Sequence, residues 1–203
     1  VLLLTGALNP VHLGHVGTLE WVAESLEIEH GIEVVGGFLS PSADAYLRLK
    51  TRGRGKFLGG ARRLELCRLA LAEHPWLEVG SWECAGDHRG GWPDFPDVVA
   101  SLEAALVDRF GPEAPRVLYV CGSDHFEVAR HAGLSGVCPV GRGGVEVPCD
   151  PAGGVYGVSV AADDPFADLS SSGVRDALAR RDLAALRAAL HPSVLGSLLS
   201  KNC

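Results

Sequence analysis

The chain has 203 residues, of which 47% are hydrophobic and 21% charged, with a formal net charge of −7. That size and balance fit one globular domain with a substantial core. No apolar run reaches the roughly 18–20 residues that a membrane span needs, and the negative balance speaks against general affinity for nucleic acid. The six cysteines (Cys67, Cys84, Cys121, Cys138, Cys149 and Cys203) are scattered, with no Cys-x-x-Cys pair. Neither a disulfide framework nor a clustered zinc site fits, so reduced thiols in a cytoplasmic or nuclear protein are expected. Methionine is absent and the apolar run Val1-Leu2-Leu3-Leu4 opens the chain. The N-terminus is therefore expected to be truncated, with any targeting segment out of view.

In chain order, Val1 to Thr5 reads as a buried strand stopped by Gly6, and a helical pattern follows from Leu13 to Leu26, with Val16, Leu19, Val22, Ala23 and Leu26 in phase. Ile32 to Leu39 reads as a second strand, and Pro41 opens a long polar stretch to Gly60. Ala61 to Ala72 predicts a helix, Trp76 to Ser81 a short strand, and Gly86 to Pro96 a loop. Val98 to Phe110 predicts a helix, Arg116 to Cys121 a buried strand, and Phe126 to His131 a short helix. Gly136 to Val140 and Val155 to Val160 complete the strands. From Ser171 the pattern is helical, with breaks at Asp182 and Pro192. Strands alternating with helices predict an α/β domain over residues 1–203, a doubly wound parallel sheet with C-terminal helices from about residue 171. Ligands of such sheets sit at the carboxyl ends of the strands.

Four features fall there. In Gly6-Ala7-Leu8-Asn9-Pro10-Val11-His12-Leu13-Gly14-His15, a glycine ending a strand lets a ligand approach the backbone, and two histidines three apart share one face of a helix start. The free N–H groups there favour an anion, and the imidazoles could stabilise charge on a phosphoryl group. In Leu169-Ser170-Ser171-Ser172-Gly173-Val174-Arg175, three serines and an arginine one turn on offer donors to a polyphosphate, although capping alone accounts for one serine. Gly122-Ser123-Asp124 places a carboxylate at a strand end, for a ribose hydroxyl or as a turn cap. Arg48, Lys50, Arg52, Arg54, Lys56, Arg62 and Arg63 form a basic stretch without an acid, either a phosphate-binding patch or a solvated loop. Trp82 could stack on a planar ring or sit in the core.

Taken together, Gly6-x-Leu8-Asn9-Pro10-x-His12-x-x-His15 and Leu169-Ser170-Ser171-Ser172-x-x-Arg175 resemble the paired motifs of nucleotidyltransferases. Asp44-Ala45-Tyr46, Ser81-Trp82-Glu83, Cys121-Gly122-x-Asp124 and Arg142-Gly143-Gly144 make the chain most similar to eukaryotic-type nicotinamide/nicotinate mononucleotide adenylyltransferases. The resemblance implies a Rossmann-like nucleotidyltransferase fold. It also implies adenylyl transfer from Mg²⁺-ATP to nicotinamide or nicotinate mononucleotide, giving NAD or its deamido form and pyrophosphate. His12, His15 and Arg175 would be catalytic. Gly6, Ala7, His15, Ser170, Ser171, Ser172, Arg175, Gly122 and Asp124 would hold ATP. On the mononucleotide side stand Arg48 for the phosphate, Trp82 for ring stacking, and Phe95, Leu134 and Arg142. No metal ligand is assigned to the chain, and neither nucleic acid nor membrane is an expected partner; a homo-oligomer stays open. The departures cluster at the acceptor: Phe95 stands where the family carries threonine, Leu134-Ser135 where a second tryptophan is expected, and Ala167 where an asparagine precedes the serines. The alternatives are another phosphorylated acceptor, or a weakened homologue that only binds a nucleotide.

Overall fold

The computed structural model of the protein describes residues 1–51, 57–86, 88 and 91–200. Arg52, Arg54, Lys56 and Cys203, named above, lie outside them. Among the described residues six strands form one sheet: β1 (Leu2–Gly6), β2 (Gly37–Pro41), β3 (Leu77–Val79), β4 (Leu118–Gly122), β5 (Val137–Gly141) and β6 (Val158–Ser159). The spatial order is β3-β2-β1-β4-β5-β6, and every pairing is parallel. The helices are α1 (Leu13–His30), α2 (Asp44–Lys50), α3 (Gly60–Ala70), α4 (Trp82–Ala85), α5 (Phe95–Phe110), α6 (Phe126–Ala129), α7 (Ser171–Arg180), α8 (Leu183–Ala189) and α9 (Pro192–Ser200). This is the doubly wound α/β arrangement expected from the alternation of elements.

The continuous apolar strands are explained by burial on both faces. Successive side chains of a strand point to opposite sides, and here each side is a core. Leu2 and Leu4 of β1, Leu118 and Val120 of β4, and Cys138 and Val140 of β5 join the core that also takes in α1, α3 and the C-terminal helices. Leu3, Tyr119, Cys121 and Val137 point the other way, into a smaller core with Phe95, Val98, Val99 and Leu106 of α5.

Several boundaries differ from expectation for local reasons. Helix α1 runs on to His30 and is stopped by Gly31 in the left-handed conformation (φ 63°), whose N–H donates to the Leu26 carbonyl. Pairing of β2 starts only at Gly37, opposite Leu2, so the β-branched residues from Ile32 to Val35 lead up to the strand without joining it. The polar stretch after Pro41 contains α2, which buries Leu47 and carries Asp44 in its first turn and Arg48 and Lys50 in its last, in the sense that favours the helix dipole. Helix α5 starts at Phe95, three residues earlier than the pattern suggests. Asp94 caps it, the Asp94 N–H donates to the Asp97 carboxylate at 3.0 Å, and Pro96 is tolerated in a first turn that needs no N–H partner. Among the described residues no helix is long and apolar enough to cross a membrane, and Cys67, Cys84, Cys121, Cys138 and Cys149 are free thiols.

The chain reverses its direction of winding between β1 and β4: β2 and β3 are added on one side, β5 and β6 on the other. The loops leaving β1 and β4 diverge at that point and open a crevice at the carboxyl edge of the sheet.

Candidate active site

A cavity of about 400 Å³ occupies this crevice. Its floor is made by the ends of the two central strands: Thr5, Gly6 and Ala7 after β1, and Cys121, Gly122 and Asp124 after β4. At one end stand His12, His15, Arg142, Leu169, Ser170 and Ser171; at the other, Ser42, Tyr46, Lys50, Glu83, Trp92 and Phe95. The volume is in the range of small-ligand sites.

The first end is assembled from the two sequence motifs, although they lie about 160 residues apart. The Arg175 guanidinium donates through Nη1 to the Asn9 carbonyl at 2.7 Å and through Nη2 to the Ser172 hydroxyl at 2.8 Å. The Ser171 hydroxyl donates to the Pro10 carbonyl at 2.8 Å. Ser170 caps α7, accepting the Gly173 N–H at 3.1 Å. The serines therefore spend their hydroxyls on joining and capping. What remains for an anion is the set of unpaired amides that opens every helix, here those of α1 and α7 facing one cavity.

The two imidazoles lie against each other, centroids 3.7 Å apart and tilted by 35°. The His12 backbone N–H donates to His15 Nδ1 at 3.1 Å. A neutral ring that accepts at Nδ1 carries its proton on Nε2, so this bond leaves His15 with one donor to offer. Burial and the neighbouring Arg142 hold the His12 pKa down to about 4. Burial, His12 and Arg142 lower that of His15 as well. With both pKa values lowered, the two rings are neutral at pH 7. His12 Nδ1 is buried without a hydrogen-bond partner, an orphan polar atom of the kind a bound ligand satisfies. Gly14 makes room for this ring: a Cβ there would meet the Phe166 carbonyl oxygen at 3.0 Å and His12 Nδ1 at 3.1 Å.

Arg142 lies with the histidines, and its Nη1 donates to the Leu169 carbonyl at 3.2 Å. It therefore stands at the histidine end of the cavity, whereas the resemblance implies a place beside Trp82 and Phe95 on the mononucleotide side. Other expected positions also move. Trp82 is 43% exposed, packs edge-on against His88 and does not line the cavity. Trp92, ten residues on, does line it and stands 6.1 Å from Tyr46, centroid to centroid. Leu134 packs into the smaller core, away from the cavity wall. Arg48 lies over the Phe57 ring, and Lys50 of the same helix faces the cavity instead. Phe95 lines the cavity and stacks on Tyr119 at 4.8 Å, a hydrophobic contact where a threonine would offer a hydroxyl. Ser172 and Arg175 act behind the cavity wall through the bonds already given.

The basic stretch separates into unlike parts. Arg62 donates to the Ser197 hydroxyl and carbonyl and pairs with Glu65. Arg63 is fully buried and donates to the carbonyls of Leu58, Ala7 and Ser42 and to the Asp44 carboxylate. It is a buried cation whose fork ties β1, β2, α2 and α3 together, not a ligand for a free phosphate. Opposite it, Glu83 is 5% exposed and lines the cavity. Burial, with a further push from Asp94, raises its pKa to about 7 despite the opposing hydrogen bonds from Ala43 and Ser42 and the charge of Arg63. Neither Glu83 nor Trp92 is among the site residues expected from the sequence, although Ser81-Trp82-Glu83 carries part of the resemblance; both follow β3 at the carboxyl edge of the sheet.

No family model matches the chain. It is 32% identical over 129 residues to a nicotinamide/nicotinic acid mononucleotide adenylyltransferase of Oryza sativa subsp. japonica, covering 63% of this chain and 48% of that protein. To the Arabidopsis thaliana enzyme of the same name it is 30% identical over 126 residues, covering 61% and 49%. An alignment with nicotinamide/nicotinic acid mononucleotide adenylyltransferase 2 of Xenopus tropicalis gives 32% identity over 87 residues, 43% of this chain and 26% of the other. The chain thus spans about half the length of the plant relatives it matches, and about a quarter of the vertebrate one. Among solved structures, that of Plasmodium falciparum nicotinic acid mononucleotide adenylyltransferase complexed with NaAD superposes with a TM-score of 0.66 over 99% of this chain and 95% of that one, at 12% identity. The Rossmann-like nucleotidyltransferase fold is therefore shown, and the chain is related in sequence to mononucleotide adenylyltransferases.

Proposed function

We propose that the chain transfers the adenylyl group of ATP to nicotinamide mononucleotide or nicotinate mononucleotide, forming NAD or its deamido form and pyrophosphate. One observation carries this reading: Arg175 and Ser171 bind the Asn9 and Pro10 carbonyls, so that two helix N-termini and a histidine pair converge on one cavity. Relatives bearing that activity in their names support it.

In this reading the ATP phosphates lie at the His12–His15 end, against the first-turn amides of α1 and α7, with Gly6 and Ala7 allowing close approach to the backbone. Gly122 and Asp124 face the nucleoside. An oxygen of the mononucleotide 5′-phosphate attacks the α-phosphorus of ATP, and the bond to the β-phosphate oxygen breaks. Pyrophosphate leaves with the electron pair. No group of the chain needs to form a bond to phosphorus; the chain positions the two phosphates and stabilises the charge that moves to the leaving group. His15 Nε2–H and Arg142 are the side chains placed for that task. Arg175 holds the two motifs in register, and its guanidinium has further N–H groups to give.

Among the described residues no group of three or more His, Cys, Asp or Glu side chains could hold a metal ion. Mg²⁺ is proposed as the companion of ATP, held chiefly by its phosphates and water. The acceptor's base would lie toward Tyr46, Trp92 and Phe95, where aromatic walls suit a planar ring.

The test is product formation from Mg-ATP with each mononucleotide in parallel, with His15→Ala as the control. NAD or deamido-NAD formed by the wild type, and lowered at least about 100-fold in the variant, is expected from the loss of an oriented donor to developing charge. ATP binding without either product would overturn the acceptor assignment.

A further inference from the structure

Glu83 has no part in the phosphate chemistry above, yet it is among the most deeply buried acids of the chain and sits in the cavity wall. Its Oε1 accepts the Ala43 N–H at 3.1 Å, and Oε2 is buried without a hydrogen-bond partner. Ala43 is the N-cap residue of α2, and its own side chain supplies no cap. The Glu83 carboxyl therefore takes over, from another helix, a bond to the backbone at the point where α2 begins. Helix α2 carries Tyr46 and Lys50 into the cavity. With only seven residues and Leu47 as its buried anchor, it is too short to hold its orientation by propensity alone.

We propose that Glu83 is the positioning residue of the acceptor wall: through Ala43 it fixes α2, and hence Tyr46 and Lys50, against Trp92. The inference rests on the acceptor end being the mononucleotide site. The charged and titratable groups that act on Glu83 or feel it are Arg63 of α3, Asp94 ahead of α5, Tyr119 of β4 and its neighbour Cys84, and the Ser42 side chain hydrogen-bonds to its carboxyl. Arg63 spends its donors on Leu58, Ala7, Ser42 and Asp44, so no hydrogen bond from it reaches Oε2. Burial and Asp94 favour the neutral acid against the hydrogen bonds from Ala43 and Ser42 and the charge of Arg63. Ionisation would set a second negative charge beside Asp94 in a buried wall and draw water toward it, which would shift the side chain and with it the start of α2.

The experiment compares wild type, Glu83→Gln and Glu83→Ala in steady-state kinetics from pH 6 to pH 8.5, with ATP and mononucleotide varied separately. Glu83→Ala should raise the mononucleotide KM by about tenfold, with the ATP KM changed by less than about twofold, since the loss is of acceptor binding. Glu83→Gln keeps an Oε1 acceptor without charge, so it should recover most of that affinity. In the wild type the mononucleotide KM should rise as pH passes about 7, and in Glu83→Gln that rise should vanish. An unchanged mononucleotide KM in Glu83→Ala, an equal rise in both KM values, or a glutamine variant as impaired as alanine would overturn the proposal.

Hydrogen exchange of the ligand-free proteins separates this inference from the proposed reaction. Faster exchange over residues 44–50 in Glu83→Ala, with β4 unchanged, supports the positioning role even if neither mononucleotide reacts. Unaltered exchange there overturns it.

Discussion

A Cβ built at Gly6 would meet only Leu8 Cδ2, at 3.9 Å, while the glycine itself lines the floor of the cavity. An alanine there has room within the fold and would collide only with a ligand held against the strand end. Gly6→Ala should therefore leave the unfolding midpoint nearly unchanged and weaken ATP binding by about tenfold or more, which calorimetric titration and a thermal melt on the same sample would read. A fall in stability without loss of ATP binding would remove Gly6 from the site. Gly14 is the contrasting case: a Cβ there meets backbone and the His12 ring, so folding and binding would fall together. The sequence made the two histidines and the serine motif legible, because their spacing within a helix turn is fixed by helix geometry alone. It could not reveal what Arg63 does. In the chain Arg63 is one of a run of basic residues, and only the fold surrounds it with three carbonyls and a carboxylate.

Helix α7 shows how an element's end can be capped and still open onto a cavity. Its cap is the Ser170 hydroxyl, accepting from Gly173, while the amides beside it face the cavity. Ser170→Ala should cost about 1 kcal/mol of stability, the usual loss for a removed cap, measurable by urea unfolding. Ser172→Ala loosens Arg175 without uncapping the helix, so it is the control for effects on the motif junction. Long periodic elements such as α1 and the strands β1, β4 and β5 were legible because each buries a repeating apolar set. Helices α2 and α4 were not. The first buries only Leu47 and the second only Glu83, so neither has an apolar period to recognise, and both are held by tertiary hydrogen bonds. One wall of the cavity is built from these two helices and Trp92, and there Trp92 and Lys50 line the cavity while Trp82 and Arg48, the residues singled out in the sequence, do not.

Across the whole molecule, the buried acid and the buried histidines pull stability in opposite directions with pH. His12 is depressed from 6.5 to about 4 in the fold, so the unfolded chain binds the extra proton, and stability is lost as pH falls from about 6.5 toward 4. His15 acts in the same sense. Glu83 is raised from 4.5 to about 7, so the folded chain binds the extra proton. Its contribution is complete below pH 4.5 and is lost as pH rises through about 7. A displacement of that size corresponds to about 3 kcal/mol. In the wild type the opposing slopes overlap between pH 4.5 and 6.5 and flatten the profile. Glu83→Gln removes only the acid's share. Urea unfolding of both proteins from pH 4 to pH 8 should show the variant gaining on the wild type as pH rises from 4.5, with the difference levelling off above about 7. A difference that stays constant across that range would mean that Glu83 ionises at its ordinary pKa in the fold. The start of α2 would then be anchored by a carboxylate, and the proposed rise in mononucleotide KM above neutral pH would have no cause.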